Sequence, residues 1–389
     1  MRLLHVVASY LPATRYGGTI WSVHGLCKAL AARGHDVQVF TTSVDGDRDS
    51  EVPHGQPVDV GGVSVWYFRS ARGRRIYWAP DMAAALAERI SDCAVVHTHA
   101  IFLWPQWAAA RAAHRAHVPY VVSPRGMLER DLVSRKSPLL KATWIAAIER
   151  HNLERAAAIH VTSAREADEA AAFGLHLPCL REIPNGVDLP AGGSQPSPAV
   201  TAIISGEPYV LFLGRLHWKK GLDRLVAALS RVRGARLVVA GNDDECYRPT
   251  IEAQASRAGV APRVTFTGPV HGADKAALLA HAQVLVLPSY SENFGNVVLE
   301  AMAAGCPVIV TPEVGIAPIV QTTGAGIVVA GDADSLGRAI DSVCARDDVR
   351  VALGERGRHA VATTYSWPRV AEQFEDLYAS VANRAGAHP

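Results

Sequence analysis

No stretch of the 389-residue chain approaches 20 uninterrupted apolar residues, so no segment reads as a membrane-spanning helix. The six cysteines, Cys27, Cys93, Cys179, Cys246, Cys306 and Cys344, are scattered without a CxxC pair. That pattern suggests neither a zinc site nor a disulfide framework and fits a reducing cytoplasm. Neither sign of charge dominates. With 39 Lys and Arg against 37 Asp and Glu, the formal charge is +2, too little for a nucleic acid to be the main ligand. Two nucleotide fingerprints are missing as well. G-x-G-x-x-G does not follow the first strand, which counts against a dehydrogenase, and the loop Gly214 to Gly221 lacks the G-x-x-x-x-G-K-[ST] spacing of a nucleotide hydrolase.

What is present reads as two α/β domains, in keeping with about 100 to 200 residues per domain. Met1 to Ala8 is taken as the first buried strand and not a secretion signal, because His5 interrupts it and Pro12, Arg15 and Gly17-Gly18 follow at once. Strand Arg2 to Ser9, a helix ending near Gly34 and strand Val37 to Thr41 make an opening βαβ unit. Between them, Gly17 and Gly18 either permit close approach to a phosphate or sugar or make a plain tight turn. Asp45-Gly46-Asp47 has the form of a metal-binding DxD pair, but it lies in a Pro- and Gly-rich loop and reads as a solvated turn.

Strand Cys93 to Thr98 delivers His97-Thr98-His99 at its carboxyl end, where open α/β sheets bind ligands. Alternation puts His97 and His99 on one face, where both could touch a cleft or one could simply cap the strand; as metal ligands the pair lacks a third partner. Strand Val118 to Val122 ends at Ser123-Pro124-Arg125-Gly126, and Arg125 is placed either to hold an anionic acceptor group or to make an internal cap or ion pair. Between Arg111 and Arg155, nine Arg or Lys face four acids, interleaved with Leu139, Leu140, Trp144, Ile145 and Ile148. Such a segment suits an anionic membrane surface or a lipid diphosphate, or else a surface helix packed on its own domain. Ser163 and Glu166 have the spacing of a capping box.

Small residues, Gly, Pro and Ser dominate Ala191 to Ser205, the composition of a hinge. The expected division is therefore 1–190, a hinge over 191–205, a second domain over 206–365 and a terminal helix within 366–389. In the second domain, Arg215 and Lys220 flank a loop feeding a helix, so two cations and free amides converge where a diphosphate fits. A second strand, Val284 to Leu287, ends at Pro288; a polar loop carrying Glu292 then opens a helix near Asn296, with Glu300 in its second turn.

The strings P-S-x-x-E-x-F-G and E-A-M-A-x-G-x-P-V-I between Pro288 and Ile309, with GRLxxxKG at Gly214 to Gly221, resemble retaining glycosyltransferase family 4. The resemblance spans nearly the whole chain. It implies the GT-B fold, an α/β arrangement of two Rossmann-like doubly wound domains facing across a cleft, with a C-terminal helix crossing back to the first domain. It also implies sugar transfer from a nucleoside diphosphate sugar, with retention and without a metal or other cofactor. By position, Arg215 and Lys220 match the pyrophosphate site and Gly268 to Val270 the base pocket. Glu292 and Asn293 with the amides of Phe294, Gly295 and Asn296 meet the sugar and phosphates, and Glu300 takes the ribose diol. Gly17 and Gly18 line the cleft opposite the donor, and His99 lies beside the transferred sugar.

The expected catalytic pair is thus His99 and Glu292, and Arg125 is the candidate for the acceptor. The string SPRGMLE resembles exopolysaccharide and O-antigen enzymes, which favours mannose from GDP-mannose and a saccharide or lipid-diphosphate-linked acceptor. That places the protein in the cytoplasm, with peripheral contact at the inner face of an anionic membrane. Two other readings remain on the same fold: a sugar-nucleotide epimerase and a non-catalytic sugar-nucleotide-binding subunit.

Overall fold

A computed structural model describes residues 1–129, 143–190, 195–232 and 234–386. They divide into two units, one made of Met1–Gly186 with the chain from Trp367 onward, the other of Val187–Ser366. The charged and apolar positions Arg130, Arg135, Lys136, Leu139, Leu140 and Lys141 of the expected basic segment lie outside the described residues.

In the first unit the strands are β1 (Arg2–Ser9), β2 (Asp36–Thr42), the short pair β3 (Val44–Asp45) and β4 (Arg48–Asp49), β5 (Pro57–Val60), β6 (Val63–Phe68), β7 (Val95–His99), β8 (Tyr120–Ser123), β9 (Ala158–Val161) and β10 (Leu180–Glu182). The main sheet has the order β10-β9-β8-β7-β1-β2-β6-β5. All its pairings are parallel except β5 on β6. Both faces are covered, which is why β1 is buried at every residue after Arg2 and reads as an apolar run. Leu4 and Val6 pack under the helices Pro80–Arg89 and Trp104–Arg115. Leu3 and Val7 face the helices Gly18–Ala32 and Trp367–Gly386. The chain lays β2 and β6 to one side of β1, then returns to place β7 on the other. The reversal of strand order therefore lies between β1 and β7.

The terminal helix Trp367–Gly386 belongs to the first unit, burying Val370, Phe374, Leu377, Tyr378 and Val381. Arg33 grips Glu375 with two bonds of 2.7 Å, Nε to Oε1 and Nη2 to Oε2. The Trp367 indole lies flat where a Cβ on Gly25 would be 2.2 Å from its ring and one on Gly186 2.5 Å.

The second unit holds β11 (Tyr209–Leu213), β12 (Arg236–Ala240), β13 (Val264–Gly268), β14 (Val284–Leu287), β15 (Val308–Val310) and β16 (Gly326–Val328). They form one parallel sheet in the order β13-β12-β11-β14-β15-β16. Here the reversal falls between β11 and β14.

The expected hinge over 191–205 needs correction. Residues 191–194 lie outside the described residues, but Pro198–Ile204 is a helix of the second unit. Ser197 Oγ caps it by accepting the Val200 N–H, Val200 is buried, and the Ser197 N–H donates to Asp274 Oδ1 at 2.6 Å. Its Ser-Pro start is a helix opening that small-residue composition concealed. The chain instead passes between units at Gly186/Val187 and Ser366/Trp367. No helix among the described residues is long and apolar enough to cross a membrane.

An alanine in an open helix position stabilises by about 1 kcal/mol over glycine. Gly25→Ala should do the opposite, because its methyl overlaps Trp367; a loss of about 1–3 kcal/mol in urea unfolding is expected. A gain in stability would mean that the indole does not hold the terminal helix down.

Candidate functional site

In the second unit the two loops that leave β11 and β14 emerge on either side of the strand-order reversal, the place where open α/β sheets bind ligands. The first, Gly214 to Gly221, ends in a left-handed glycine, Gly221 at φ 67°, whose Cβ position is 2.0 Å from the Pro288 carbonyl oxygen of the second. The loops are further joined by Tyr290 N–H to Lys219 O at 2.7 Å. Lys220 Nζ consequently meets Glu292 Oε2 in a partly buried ion pair. Arg215 is exposed, and no acid among the described residues pairs with it.

The second loop opens the helix Asn296–Ala304 through Gly295, at φ 97°. Its N-cap residue is a glycine, which brings no capping oxygen of its own to the positive helix end. Asn293 and Asn296 flank that end half-buried, whereas Phe294 is turned into the core. Any donor contact at Phe294 is through its backbone, not its ring. Glu300 stands on the helix and is paired at 2.9 Å with Lys275 of the helix Gly272–His281. Lys275 had no sequence signal, since it comes from an unrelated helix with no motif.

Three glycines pack the ends of β11, β12 and β13. Gly241 N–H donates to Gly268 O, and a Cβ on Gly241 would lie 1.9 Å from Gly214 O. Gly268, at φ 75°, has nothing within 4 Å of its Cβ position, and half-buried Val270 follows. Gly268 and Val270 thus share the carboxyl edge of the sheet with Arg215, Lys220 and Glu292.

The remaining expected residues, Gly17, Gly18, His99 and Arg125, belong to the first unit. Gly17, at φ 83°, ends the turn Thr14–Tyr16 and caps the helix that starts at Gly18; the space at its Cβ position is open. This loop follows β1, and His99 ends β7, so both sit at the first unit's own strand-order reversal.

His97 and His99 do share a face, with ring centroids 4.1 Å apart, but neither reaches a surface: they are 1% and 0% exposed. The expectation that their rings touch a cleft is corrected. Helices cover both faces of β7, and the imidazoles are absorbed into a polar cluster inside the unit.

That cluster also supplies the third histidine absent from the sequence argument. His5, His97 and His99 offer nitrogens all within 4.8 Å of one another. The proton inventory nevertheless leaves no lone pair for a metal. Burial pushes the His5 and His160 imidazoles down to about 3 and those of His97 and His99 well below their usual value, so all four are neutral. His160 Nε2–H donates to Ile183 O at 2.8 Å, so its Nδ1 accepts from Ser123 Oγ at 2.6 Å. Ser123 therefore accepts from His97 Nε2–H, and His97 Nδ1 from Tyr378 O–H. In the other branch Arg125 Nη2 donates to His99 Nδ1 at 3.2 Å, so His99 Nε2–H donates to His5 Nδ1 at 3.0 Å. His5 Nε2–H ends the chain as a buried donor without a partner among the described residues.

Arg125, at φ 57°, is thereby turned inward onto His99 and onto Asn185 Oδ1 at 2.9 Å. Of its two sequence readings, the internal one describes its geometry. Ser163 caps the helix Ala164–Ala171 as its spacing suggested, while the Glu166 carboxylate braces the Arg125 loop through Gly126 N–H at 2.6 Å and Thr162 N–H at 2.7 Å. Ala100 and Phe102, just after His99, hold left-handed φ of 72° and 65°, a costly conformation without a sequence signature.

Profiles of Glycosyltransferase Family 4 and of Glycosyl transferases group 1 match residues 16–190 and 207–346. A D-inositol 3-phosphate glycosyltransferase of Xylanimonas cellulosilytica is 30% identical over 95% of this chain and 93% of its own. The chain belongs to glycosyltransferase family 4. A second relative of this glycosyltransferase is the GDP-mannose-dependent alpha-(1-6)-phosphatidylinositol monomannoside mannosyltransferase of Mycobacterium tuberculosis, 36% identical over 54% of this chain and 57% of its own. Sucrose-phosphate synthase from Thermosynechococcus elongatus superposes with a TM-score of 0.77 at 24% identity, over 98% of this chain and 99% of its own. Anabaena HepE in complex with UDP and glucose gives 0.74 at 18% identity, over 98% and 100%. The architecture is GT-B, and the family match on both units favours a transferase over an epimerase.

The neutral histidines give the family 4 chain a pH signature. Their folded pKa values lie below the ordinary 6.5, so the unfolded chain binds more protons at acid pH; the stability is complete above 6.5 and is lost as pH falls toward 3. From about pH 7.5 to about 5.5 each such histidine should cost roughly 1.4 kcal/mol. Urea unfolding followed in that window should show a falling midpoint. An unchanged midpoint would mean that the imidazoles protonate in place.

Proposed function

We propose that this glycosyltransferase moves a hexose, with mannose from GDP-mannose preferred, onto a saccharide or lipid-linked saccharide in cell-surface polysaccharide assembly. The reading further takes the reaction to retain the anomeric configuration and to need no metal. The observation that carries it is the convergence of Arg215, Lys220 and a helix N-terminus opened by Gly295 at the strand-order reversal of the second unit. Breaking a glycosyl–phosphate bond builds negative charge on the leaving diphosphate, and fixed cations with aligned amides stabilise that charge without reorganising.

Lys220 and Glu292 make the site an exchange device. A diphosphate drawing Lys220 to itself parts the ion pair and frees the Glu292 carboxylate for sugar hydroxyls. Glu300, steadied by Lys275, takes the ribose diol, and Gly268 with Val270 borders the base. Gly17 and Gly18 keep the donor contact that the resemblance gives them, and His99 acts by shaping the backbone after β7. The preference for mannose draws on the GDP-mannose-dependent relative and on the SPRGMLE string. A non-catalytic subunit would be expected to have lost a donor residue, and Arg215, Lys220, Glu292 and Glu300 are all present. The same reading places the protein in the cytoplasm, with its basic region against the anionic inner face of a membrane.

Thermal shift of the purified chain against GDP, UDP, ADP and their sugar conjugates, with chelator present, tests the donor site, because a ligand of the folded state raises the melting temperature. Selective stabilisation by guanine nucleotides is expected, and Glu300→Ala should reduce it about tenfold in affinity while leaving the unliganded melt unchanged. No shift with any nucleotide would remove the donor assignment, and unchanged affinity in the variant would remove the ribose role.

A further inference from the structure

Away from the strand-order reversal, the first unit holds a cavity of about 340 Å³ between the helix Trp104–Arg115, the start of β8 and residues 147–155. Tyr120, in its wall, opens β8, whereas Ser123 closes β8 beside His99. The cavity therefore lies at the amino edge of the sheet, about 10 Å of strand away from the histidine cluster. It is not the site already described.

Its walls carry charge of one sign. Arg111 and Arg115 come from the helix, Arg155 from the opposite wall, and His114 and His151 stand between them. No acid lines it. The nearby carboxylates are engaged elsewhere: Glu149 accepts from Phe102 N–H at 2.7 Å and Trp144 Nε1–H at 3.0 Å, and Glu154 from His176 N–H at 3.3 Å. Arg111 and Arg115 are one helical turn apart, a like-charge spacing that disfavours the helix. Arg155 Nη1 donates to His114 Nε2 at 2.8 Å, and burial, with Arg155 beside it, lowers the His114 pKa. Among the described residues, cations thus crowd one concavity without a counter-charge, an arrangement that an anion relieves. The cavity also has an apolar wall of Trp107 and half-buried Ile148, and the Arg111 guanidinium stands over the Trp107 ring at 5.3 Å.

We infer that this cavity binds a phosphate ester with an apolar portion, the chemistry shared by an anionic phospholipid headgroup and a small soluble phosphate ester. Bidentate guanidinium groups suit the phosphate oxygens, and the Trp107–Ile148 wall suits the carbon that bears them. The inference deepens the membrane-contact part of the proposed function and is independent of the donor site. Its place at the amino edge makes it an anchor and not the reacting acceptor position.

The test uses the full chain, the pocket variant R111Q/R115Q/R155Q and a control with the same loss of charge on the second unit, R231Q/R338Q/R346Q. Sedimentation with phosphatidylcholine vesicles, with and without phosphatidylglycerol, reads the lipid source; thermal shift with glycerol 1-phosphate reads the soluble one. Vesicle binding that needs phosphatidylglycerol and falls roughly 100-fold in the pocket variant but not in the control supports a headgroup site. A glycerol phosphate shift abolished only in the pocket variant, with no vesicle binding by the wild type, supports a soluble-ester site and removes the membrane reading. Vesicle binding lost equally in both variants, or kept in the pocket variant, without a pocket-dependent glycerol phosphate shift, overturns the pocket and leaves membrane contact standing. Binding of neither probe by the wild type overturns both.

Discussion

The second unit's site depends on one close approach of backbone, Gly221 against the carbonyl of Pro288. Only a residue without a Cβ fits there, at φ 67° and with 2.0 Å between the Cβ position and the Pro288 oxygen. Around that contact the loops from β11 and β14 are tied together. Arg224 donates to Pro288 O at 3.2 Å and stacks 3.6 Å from the Tyr290 ring centroid, and Tyr290 O–H donates to Asp223 at 2.7 Å. The result is that Lys220 on one loop and Glu292 on the other meet. A cation and a carboxylate are thus delivered by two neighbouring parallel strands to the start of a helix, with Arg215 exposed beside them.

The first unit uses its polar residues in the opposite way. Its histidines are buried and neutral in two hydrogen-bonded chains, one running from Arg125 through His99 to His5 and the other from Tyr378 through His97, Ser123 and His160 to Ile183. Tyr378 ties the terminal helix into that chain, and Trp367 presses the same helix onto Gly25 and Gly186. The Tyr378 chain therefore links the docking of the last helix to the strand ends at His97 and Ser123. Exposed arginines gather elsewhere, at the amino edge of the same sheet.

Strands were legible in the sequence because buried parallel strands read as apolar runs: Arg2–Ser9 and Val284–Leu287 have the bounds their composition suggests. The helix start at Asn296 was legible from the polar loop that precedes it. Long-range partners were not. His5 joins His97 only through the register of β1 on β7, and Lys275 reaches Glu300 from a separate helix. Composition also misled once, since the Ser- and Pro-rich run before Ser205 hid the buried face of Val200. His99 was read as lying at the carboxyl end of a strand, where it does lie, while its burial depends on helices that arrive from both ends of the chain.

The central claim is that a nucleotide diphosphate is held by the loops after β11 and β14. Amide hydrogen exchange of the full chain, with and without the nucleotide sugar that raises its melting temperature, tests it most directly. The account predicts slowed exchange over Arg215 to Gly221 and over Glu292 to Val297. Unchanged exchange in both loops, with protection confined to other segments, would contradict it.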